Sequence, residues 1–416
     1  MTRVETVSSV LSVVHGRKPR VLVFASYYLP AFKAGGPPRS ISNLVDALSA
    51  DFDFLIVTRD RDLGDLEPYP DFPRDVWVEV GSAKVMYLSP ANRRLMPITR
   101  LLRETPHDVL FLNSIFDVTY TLRPLIVRRL GMASARPLII APRGEFGAGA
   151  LALKKARKAL YLRVAQTSGF FKGALWMASG AREAKEIQSA LGIGSENIAV
   201  ASDLVDANVS DQSDPPDRAP GDPLRIIFLS RISPMKNLEY ALEILDGIGN
   251  IPLKLDVVGP CSDPAYLRIL QRQAEQMPSG IKVKFVGEVK PEHVRATLAR
   301  YDLMILPTRG ENFGHVILES LQAGTPVLIS DRTPWRATPD GACLTVSLNE
   351  PEEFRRIIRQ RATASSEEQA RLRAAARLCA ARFSEDPSHK AANRALFFRA
   401  AAEANPDVVV NSDAVG

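Results

Sequence analysis

The stretch DLMILPTRGENFGHVILESLQAGTPVLIS, residues 302–330, contains a complete strand–loop–helix–strand unit. Its two apolar runs, DLMILPT and PVLIS, have the length of buried strands, and the segment between them predicts a helix that begins near Phe313. Strands that are apolar on both faces and alternate with helices are typical of a parallel sheet covered by helices. The stretch therefore predicts an α/β fold.

The same alternation extends over most of the chain. The runs LRIIFLS, LKLDVVG and IKVKFVG precede the stretch, and an earlier block contains RVLVFAS, FLIVT, DVLFLN, PLIIAP and LWMAS. Between the blocks, residues 203–223 are rich in Asp, Pro and Gly, which indicates an interdomain linker. Since 416 residues exceed one core of ordinary size, we predict two domains, residues 1–205 and 206–385, followed by a helical segment, residues 386–416, with a loose end.

The composition, with 46% hydrophobic and 24% charged residues, is that of a globular protein. Cys261, Cys343 and Cys379 are widely spaced and form no CxxC pair, which favours a reducing compartment and no structural zinc. Residues 1–20 lack the unbroken apolar core of a secretory signal, and no apolar run of about 18 residues could span a bilayer. We expect a soluble or peripheral protein.

The formal charge of +6 is unevenly distributed. Between Arg93 and Arg163 the sequence has fourteen Lys and Arg against four Asp and Glu. A basic region confined to one domain suggests an anionic partner, such as phosphate, nucleic acid or lipid headgroups. An ordinary solvated surface is the alternative interpretation.

Two loops at predicted strand ends have residues suited to an anion, because ligands of parallel sheets bind where helix N-termini present unpaired N–H groups. Gly35 and Gly36 would let backbone amides approach a phosphate, although a plain turn needs the same residues. Arg231 and Lys236 follow LRIIFLS, and two cations at a strand end suit a diphosphate. Without an anion, cations beside a helix N-terminus are disfavoured.

The opening stretch places Glu311 and Glu319 on either side of the predicted helix start. In a continuous helix they would lie about 12 Å apart along the axis, nearer the span of a sugar with its diphosphate than the separation of paired catalytic carboxylates. Apolar residues surround Glu319, so its carboxylate needs a partner. We predict that the two glutamates hold two ends of one ligand.

Together these features resemble the retaining glycosyltransferases of family 4. The resemblance rests on the two glutamates with seven residues between them, the Arg231 and Lys236 pair, the early double glycine and AGTPVLIS, and it is strongest over residues 224–335. In the first domain, NSIFD and APRGEFGAGAL resemble a branch of bacterial polysaccharide and lipid-linked oligosaccharide synthesis. The resemblance implies the GT-B fold, two facing Rossmann-like domains with a cleft between them, in which the terminal helix near Leu396 packs back on the first domain.

The resemblance also implies residue roles. Catalytic roles go to Glu311, which contacts hydroxyls of the donor sugar, and to Arg231 and Lys236, which neutralise its diphosphate. Glu319 would hold the ribose hydroxyls. The other implied donor-binding residues are Asn312, Phe313, Gly314, His315, Gly35 and Gly36 around the phosphates and Val286, Gly287 and Val289 beside the base. Candidates for acceptor binding are Asn113 and Ser114, which stand where many relatives carry a histidine next to the sugar, together with Arg143 and Glu145.

The implied reaction is that of a hexosyltransferase that moves a sugar from a nucleoside-diphosphate sugar to a glycan or lipid-linked acceptor in polysaccharide biosynthesis. Charge stabilisation of the leaving diphosphate would suffice for an oxocarbenium-like departure, so no metal or other cofactor is implied, and RDRD at 59–62 is too basic for a DxD-type site. The segment ALALKKARKALYLRV would lie on an anionic membrane, which places a cytoplasmic protein peripherally on the inner face of the cytoplasmic membrane.

Three alternatives remain at this point. A nucleotide-sugar epimerase of the same fold would bind the donor in the same way. An NAD-dependent dehydrogenase would need GxGxxG directly after a strand, which FASYYLPAFKAGGPPR does not supply. Nucleic acid is not expected as a partner, because aromatic residues do not interleave the cations and no recognition motif accompanies them. The residues do not separate UDP from GDP as the donor nucleotide.

Overall fold

The structure, a computed structural model, describes residues 12–13, 17–152, 155–205, 218–219, 221–249, 251–404 and 410–411. The chain divides into two compact units, of which the first comprises Met1–Leu204 with Pro387–Gly416 and the second comprises Val205–Asp386. Each unit is built on one mainly parallel sheet covered by helices, which confirms the predicted α/β class.

The first unit begins with the elements β1 (Ser12–Val13), β2 (Arg20–Ala25), α1 (Gly36–Leu48), β3 (Asp53–Arg59), β4 (Trp77–Val80), β5 (Ala83–Leu88), α2 (Leu95–Glu104), β6 (Val109–Asn113), α3 (Arg123–Arg129), β7 (Leu138–Ala141), α4 (Ala148–Ala152), α5 (Lys155–Thr167), β8 (Ala174–Ala178), α6 (Ala181–Leu191) and β9 (Ile198–Val200). Its sheet has the order β4-β5-β3-β2-β6-β7-β8-β9, parallel except for the β4–β5 pair. The strand order reverses between β2 and β6, and ligands of open α/β sheets bind at such a switch point.

The second unit contains β10 (Leu224–Leu229), α7 (Leu238–Asp246), β11 (Leu253–Val258), α8 (Pro264–Glu275), β12 (Ile281–Gly287), α9 (Val294–Leu298), β13 (Leu303–Leu306), α10 (His315–Gln322), β14 (Val327–Ser330), β15 (Cys343–Val346), α11 (Pro351–Ala362) and α12 (Ser366–Ser384). All six strands pair in parallel in the order β12-β11-β10-β13-β14-β15. Here the switch point lies between β10 and β13.

The chain then returns to the first unit as α13 (Pro387–Ala404). Leu396, Phe397 and Phe398 of this helix are buried in the first unit's core. The Phe397 ring lies 5.1 Å from that of Phe111 on β6, and the Phe398 ring lies 4.6 Å from that of Phe52. These aromatic contacts fix α13 against the sheet. The last strand, β16 (Val410–Asn411), pairs antiparallel with β1.

The structure also differs from the sequence prediction in detail. The strands β4, β5, β9 and β15 were not predicted, because they are short or alternate buried with exposed residues rather than forming apolar runs. The basic segment at 150–164 is divided between α4 and α5, with residues 153–154 outside the described part. The predicted linker mostly lies outside it too, at residues 206–217 and 220, as do most of the predicted loose end and residues 1–11.

Candidate functional site

The switch point of the second unit is formed by two loops that are bonded to each other. Loop 230–237 follows β10 and loop 307–314 follows the neighbouring strand β13. The Arg309 amide donates to the Met235 carbonyl at 2.8 Å, and the Thr308 hydroxyl donates to the same oxygen at 3.1 Å. Asn237 donates from Nδ2 to the Pro307 carbonyl at 3.0 Å. The two loops are therefore held as one surface.

This surface brings Lys236 and Glu311 together although they are far apart in sequence. Lys236 Nζ and Glu311 Oε2 form an ion pair, and the two side chains keep 16% and 14% of their area exposed. The Glu311 amide donates to the Arg332 carbonyl at 3.0 Å, which fixes the carboxylate's loop against the end of β14. Arg231 is exposed on the Lys236 loop. A partly exposed cation and carboxylate at a strand end can both exchange partners when a ligand arrives.

The start of α10 depends on one glycine. Gly314 has φ 85°, and a Cβ on it would lie 2.7 Å from Ile317 Cδ1 and 3.0 Å from Glu311 Cγ. The helix therefore begins at His315, two residues later than predicted, and the Phe313 amide precedes its first turn. The Phe313 ring is buried near Trp335, whose indole N–H donates to the Phe313 carbonyl at 2.7 Å.

The remaining predicted donor residues of this unit lie near the same edge of the sheet. Glu319 is buried on α10, and Asn312 is half-buried in the loop before it. Val286 is exposed at the end of β12, where the Gly287 carbonyl accepts from the Gly259 amide at 2.8 Å. Because β11 separates β12 from β10, this segment lies about 10 Å from the end of β10. Val289, just beyond it, is half-buried against the core.

Gly35 and Gly36 lie at the switch point of the first unit. Gly35 has φ 85° and precedes α1, whose first residue is Gly36. No atom lies within 4 Å of a Cβ built on Gly35, so the backbone conformation alone accounts for a glycine there. The Gly36 amide is the first N–H group of α1. The next two residues, Pro37 and Pro38, have no N–H group, so they cannot donate a hydrogen bond to an anion at this helix start.

The four predicted acceptor residues form a polar network of two neighbouring hydrogen-bonded pairs at the ends of β6 and β7. Arg143 donates to Asn113 Oδ1 at 3.0 and 3.2 Å and to Asp203 at 2.6 Å. The Ser114 hydroxyl lies 3.0 Å from both carboxylate oxygens of Glu145. The structure thus brings these residues together, with Arg143 and Asp203 almost fully buried. Arg143 has φ 55°, a left-handed conformation that the network holds in place.

Two carboxylates lie near this network, of which Glu183 is buried and Glu145 is half-buried. Burial raises the pKa of the Glu145 carboxyl above its ordinary value, and hydrogen bonds from the Ile115 amide, the Ser114 hydroxyl and the Phe116 amide partly oppose that rise. Burial likewise raises the pKa of Glu183, which accepts from the Ser179 amide at 2.8 Å. Because Glu145 is held by three donors of loop 114–116, its visible role is to shape that loop.

Sequence reasoning missed Asp203 and Ser40, which complete the network. The Ser40 hydroxyl on α1 donates to Asp203 Oδ2 at 2.7 Å, so α1 is tied to Arg143 through Asp203. Asp203 stands in the stretch that was taken for a linker, and no local pattern pairs it with a residue 60 positions earlier. Only the strand order reveals the contact.

The part of the chain that the structure describes has neither a metal-binding cluster nor a membrane-spanning helix. In that part of the chain, no group of three or more His, Cys, Asp or Glu side chains is placed to hold a metal ion. Over the same residues, no helix has the length and apolar character needed to cross a bilayer.

The sequence of the second unit matches known proteins. Residues 210–377 match the family model described as "Glycosyl transferases group 1". The D-inositol 3-phosphate glycosyltransferase of Rhodococcus erythropolis is 30% identical over 112 residues, which are 26% of this chain and 25% of the relative. The sequence match therefore spans about a quarter of that relative's length.

The likeness to solved structures covers both units. The crystal structure of Anabaena HepE in complex with UDP and glucose has a TM-score of 0.64 at 15% identity, with 91% of this chain and 98% of that chain covered. Sucrose-phosphate synthase from Thermosynechococcus elongatus has a TM-score of 0.71 at 16% identity, with 93% of this chain and 100% of that chain covered. At these identities the likeness shows the fold, which is of the GT-B class.

Proposed function

We propose that this chain, whose residues 210–377 belong to the glycosyl transferases of group 1, moves a sugar from a nucleoside-diphosphate sugar to a glycan or lipid-linked acceptor. The observation that carries the proposal is the Lys236–Glu311 pair at the β10–β13 switch point, with Arg231 exposed on the same loop. A bound diphosphate can replace Glu311 as the ion-pair partner of Lys236. The Glu311 carboxylate can then accept hydrogen bonds from hydroxyl groups of the donor sugar. Glu319, buried one to two turns into α10, would hold the ribose.

The chemistry follows from where charge develops. When the bond between the sugar and its diphosphate breaks, negative charge grows on the phosphate oxygens, and Lys236 and Arg231 stabilise it. The first amides of α10 add the positive end of that helix. We propose that these groups replace a metal ion and that the acceptor attacks on the face the diphosphate leaves, which retains the anomeric configuration, as in family 4. Activity that persists in the presence of a chelator would support the first point. A product whose anomeric proton has the same coupling constant as that of the donor sugar would support the second.

The first unit would bind the acceptor through its own switch point. Asn113, opposite Ala25 of β2, and Ser114 lie at the end of β6. The helix α1, which begins at Gly36, is linked to Asn113 through Ser40, Asp203 and Arg143. A hydroxyl-bearing acceptor suits this edge, because amide and hydroxyl side chains can donate and accept hydrogen bonds with a sugar. A role in bacterial polysaccharide synthesis belongs to this proposal.

The helix α5 supports a lipid-linked acceptor. Leu160 and Val164 are 65% and 47% exposed, and Arg157 and Arg163 are exposed on the same helix. Leu160 and Val164 are four residues apart and so lie on one helix face, with Arg157 one turn before them. Apolar side chains flanked by cations suit the surface of an anionic membrane, on which we propose that the cytoplasmic protein docks. Sedimentation with anionic but not neutral liposomes, weakened by Leu160→Gln, would support this proposal; equal weak binding to both would contradict it.

The first experiment is a thermal-shift series with UDP, GDP, ADP and their sugar conjugates, on the wild type and on Glu319→Ala. Stabilisation by one nucleotide that the variant loses would support the donor site and identify its base. Glu275→Ala, a change at the end of the exposed helix α8, is the matched control and should leave the shift unchanged. No shift at millimolar nucleotide would contradict the proposal. Rapid nucleotide release that requires an acceptor would then separate transfer from epimerisation.

A further inference from the structure

An arginine cluster surrounds one buried carboxylate in the first unit. Asp60, directly after β3, is 1% exposed and forms ion pairs with Arg61 at 2.9 Å, with Arg74 at 3.9 Å and with Arg93. Among the ion pairs of the described residues, Asp60 is the one carboxylate that these three guanidinium groups share. Guanidinium groups that converge on one carboxylate repel one another at short range, and a further anion would stabilise them.

The three guanidinium groups remain accessible. Their side chains keep between 20% and 51% of their area exposed, the largest share at Arg74. Arg93 also donates to the Leu88 carbonyl at 3.0 Å, which holds that guanidinium in place. Two further acids act on the cluster without an ion pair to it: Glu67, which is exposed, acts on Arg61, and Asp75, which accepts from the Ser89 amide at 2.8 Å, acts on Arg74. Fixed and partly exposed guanidinium groups are the donors that phosphate groups prefer.

A fourth arginine and an unsatisfied hydroxyl continue the cluster toward β6. Arg59 donates to the Ser26 carbonyl at 2.8 Å, lies 3.8 Å from Asp117, and its guanidinium carbon is 5.8 Å from the centre of the Tyr120 ring. Tyr120 is completely buried, and within the described part of the chain its hydroxyl has no hydrogen-bond partner. The charges that act on this hydroxyl include those of Arg93 and Arg59. A buried donor without a partner costs free energy that a bound acceptor atom or water recovers.

The cluster adjoins the proposed acceptor residues. Asp117 accepts from the Ser26 hydroxyl at 2.6 Å, and its amide donates to the Ser114 hydroxyl at 3.2 Å, so one loop borders both. In the sheet, β3 is separated from β6 by β2 alone, which places the cluster about 10 Å from Asn113. That distance is too long for a bare phosphate to reach both places and allows a sugar that carries one.

We propose that the arginine cluster, Arg59, Arg61, Arg74 and Arg93 around Asp60, binds a phosphate group of the acceptor, so that the acceptor is a phosphorylated sugar. The inference rests on the proposed function and extends it to the acceptor's chemical class. The phosphate has two sources, a soluble sugar phosphate or a lipid-linked sugar diphosphate. In both, the cluster would bind the phosphate while the end of β6 contacts the sugar.

The test is a titration of the full chain with glucose 1-phosphate, followed by calorimetry or ligand-detected NMR. Because phosphate could also bind to the second unit, the background variant is Arg231→Ala with Lys236→Ala. In that background, Arg74→Gln should weaken binding about tenfold, since a hydrogen bond between charged groups is lost. Arg74→Lys should recover part of the affinity. Arg100→Gln, an exposed arginine of α2 paired with Glu104, is the matched control and should change affinity less than twofold.

Several outcomes overturn the proposal. They are binding that disappears in the background variant, binding that Arg74→Gln and Arg61→Gln both leave unchanged, and equal binding of methyl glucoside, which has no charge. A farnesyl diphosphate arm distinguishes the sources: preference for it supports a lipid-linked acceptor, and preference for glucose 1-phosphate supports a soluble one. Nucleotide binding by the wild type is measured separately, in the thermal-shift series. A chain that binds glucose 1-phosphate through Arg74 but shifts with no nucleotide therefore contradicts the donor proposal and not the anion site.

Discussion

Both sheets have a polar site at the carboxyl ends of their strands, but the charged pair is partly exposed in the second unit and almost fully buried in the first. In the second unit, Lys236 and Glu311 lie on loops bonded through backbone atoms, and the charged pair itself stays partly exposed. In the first unit, Arg143 and Asp203 are almost fully buried, and their pairing is itself what connects α1 with the end of β7. A partly exposed pair can be exchanged for a ligand, whereas a buried pair is part of the scaffold. Substitutions should therefore reduce activity in one unit and stability in the other.

The largest effect is expected for Asp203→Ala. Removing this carboxylate leaves the Arg143 charge buried and unpaired, which typically costs about 3–5 kcal/mol of unfolding free energy. Hydrogen exchange of the β6 and β7 amides measures the loss within the first unit. Glu104→Ala breaks the exposed 3.9 Å pair with Arg100 and should cost less than about 1 kcal/mol. Similar small losses in both variants would remove the distinction between the units.

Lys236→Ala tests the other side of the comparison. The unfolding free energy should change little, because the pair is partly exposed, while sugar transfer should slow by about 10²–10³-fold through loss of a charge on the leaving diphosphate. Initial rates of nucleotide release with acceptor present measure this effect. The control is Lys254→Ala, an exposed lysine on β11 of the same unit. A rate within a few-fold of the wild type would show that Lys236 does not contact the leaving group.

The comparison also explains what the sequence could predict. The apolar runs identified most of the parallel strands, and the loops with Arg231, Lys236 and Glu311 could be found because each follows such a run directly. The strand β4 was not predicted because it is a short, half-buried edge strand, and β5 was not predicted because the exposed Lys84 interrupts its apolar residues. Short-range patterns therefore predicted the fold class and the second unit's candidate site.

The first unit's network could not be predicted in the same way. Arg143 and Asp203 follow β7 and β9, which β8 separates in the sheet, and Arg93 and Asp60 follow the paired strands β5 and β3, so both contacts depend on the strand order. The family resemblance predicted Asn113, Ser114, Arg143 and Glu145 as acceptor-binding residues, but it did not predict their contacts with one another. Spacing along the chain contains no information on such contacts until the strand order is known.

A third prediction compares two glycines of the second unit. Gly314 and Gly287 both have left-handed φ values, 85° and 92°, but only Gly314 has atoms within 4 Å of an added Cβ. Gly314→Ala should lower the free energy of unfolding by about 1–3 kcal/mol more than Gly287→Ala. Both substitutions strain the backbone, but only the one at Gly314 also forces Ile317 and Glu311 to move. Chemical denaturation of both variants measures the difference. Equal costs would mean that strain alone matters and that the Glu311 loop adjusts freely.

The smallest expected effect is a slope in the pH dependence of stability. Burial raises the pKa of Glu145, so the folded state keeps this proton to a higher pH than the unfolded state does. The resulting contribution to stability is fully present below the unfolded pKa of about 4.3 and is lost as the pH rises through the folded pKa. Glu145→Gln should remove that decline from denaturation midpoints measured between pH 4 and neutrality, roughly the range over which carboxyl groups titrate. Glu104→Gln, at a fully solvated site, should keep it. Parallel plots of denaturation midpoint against pH for all three proteins would contradict this expectation. They would show that the hydrogen-bond donors of loop 114–116 offset the effect of burial on the Glu145 carboxylate completely.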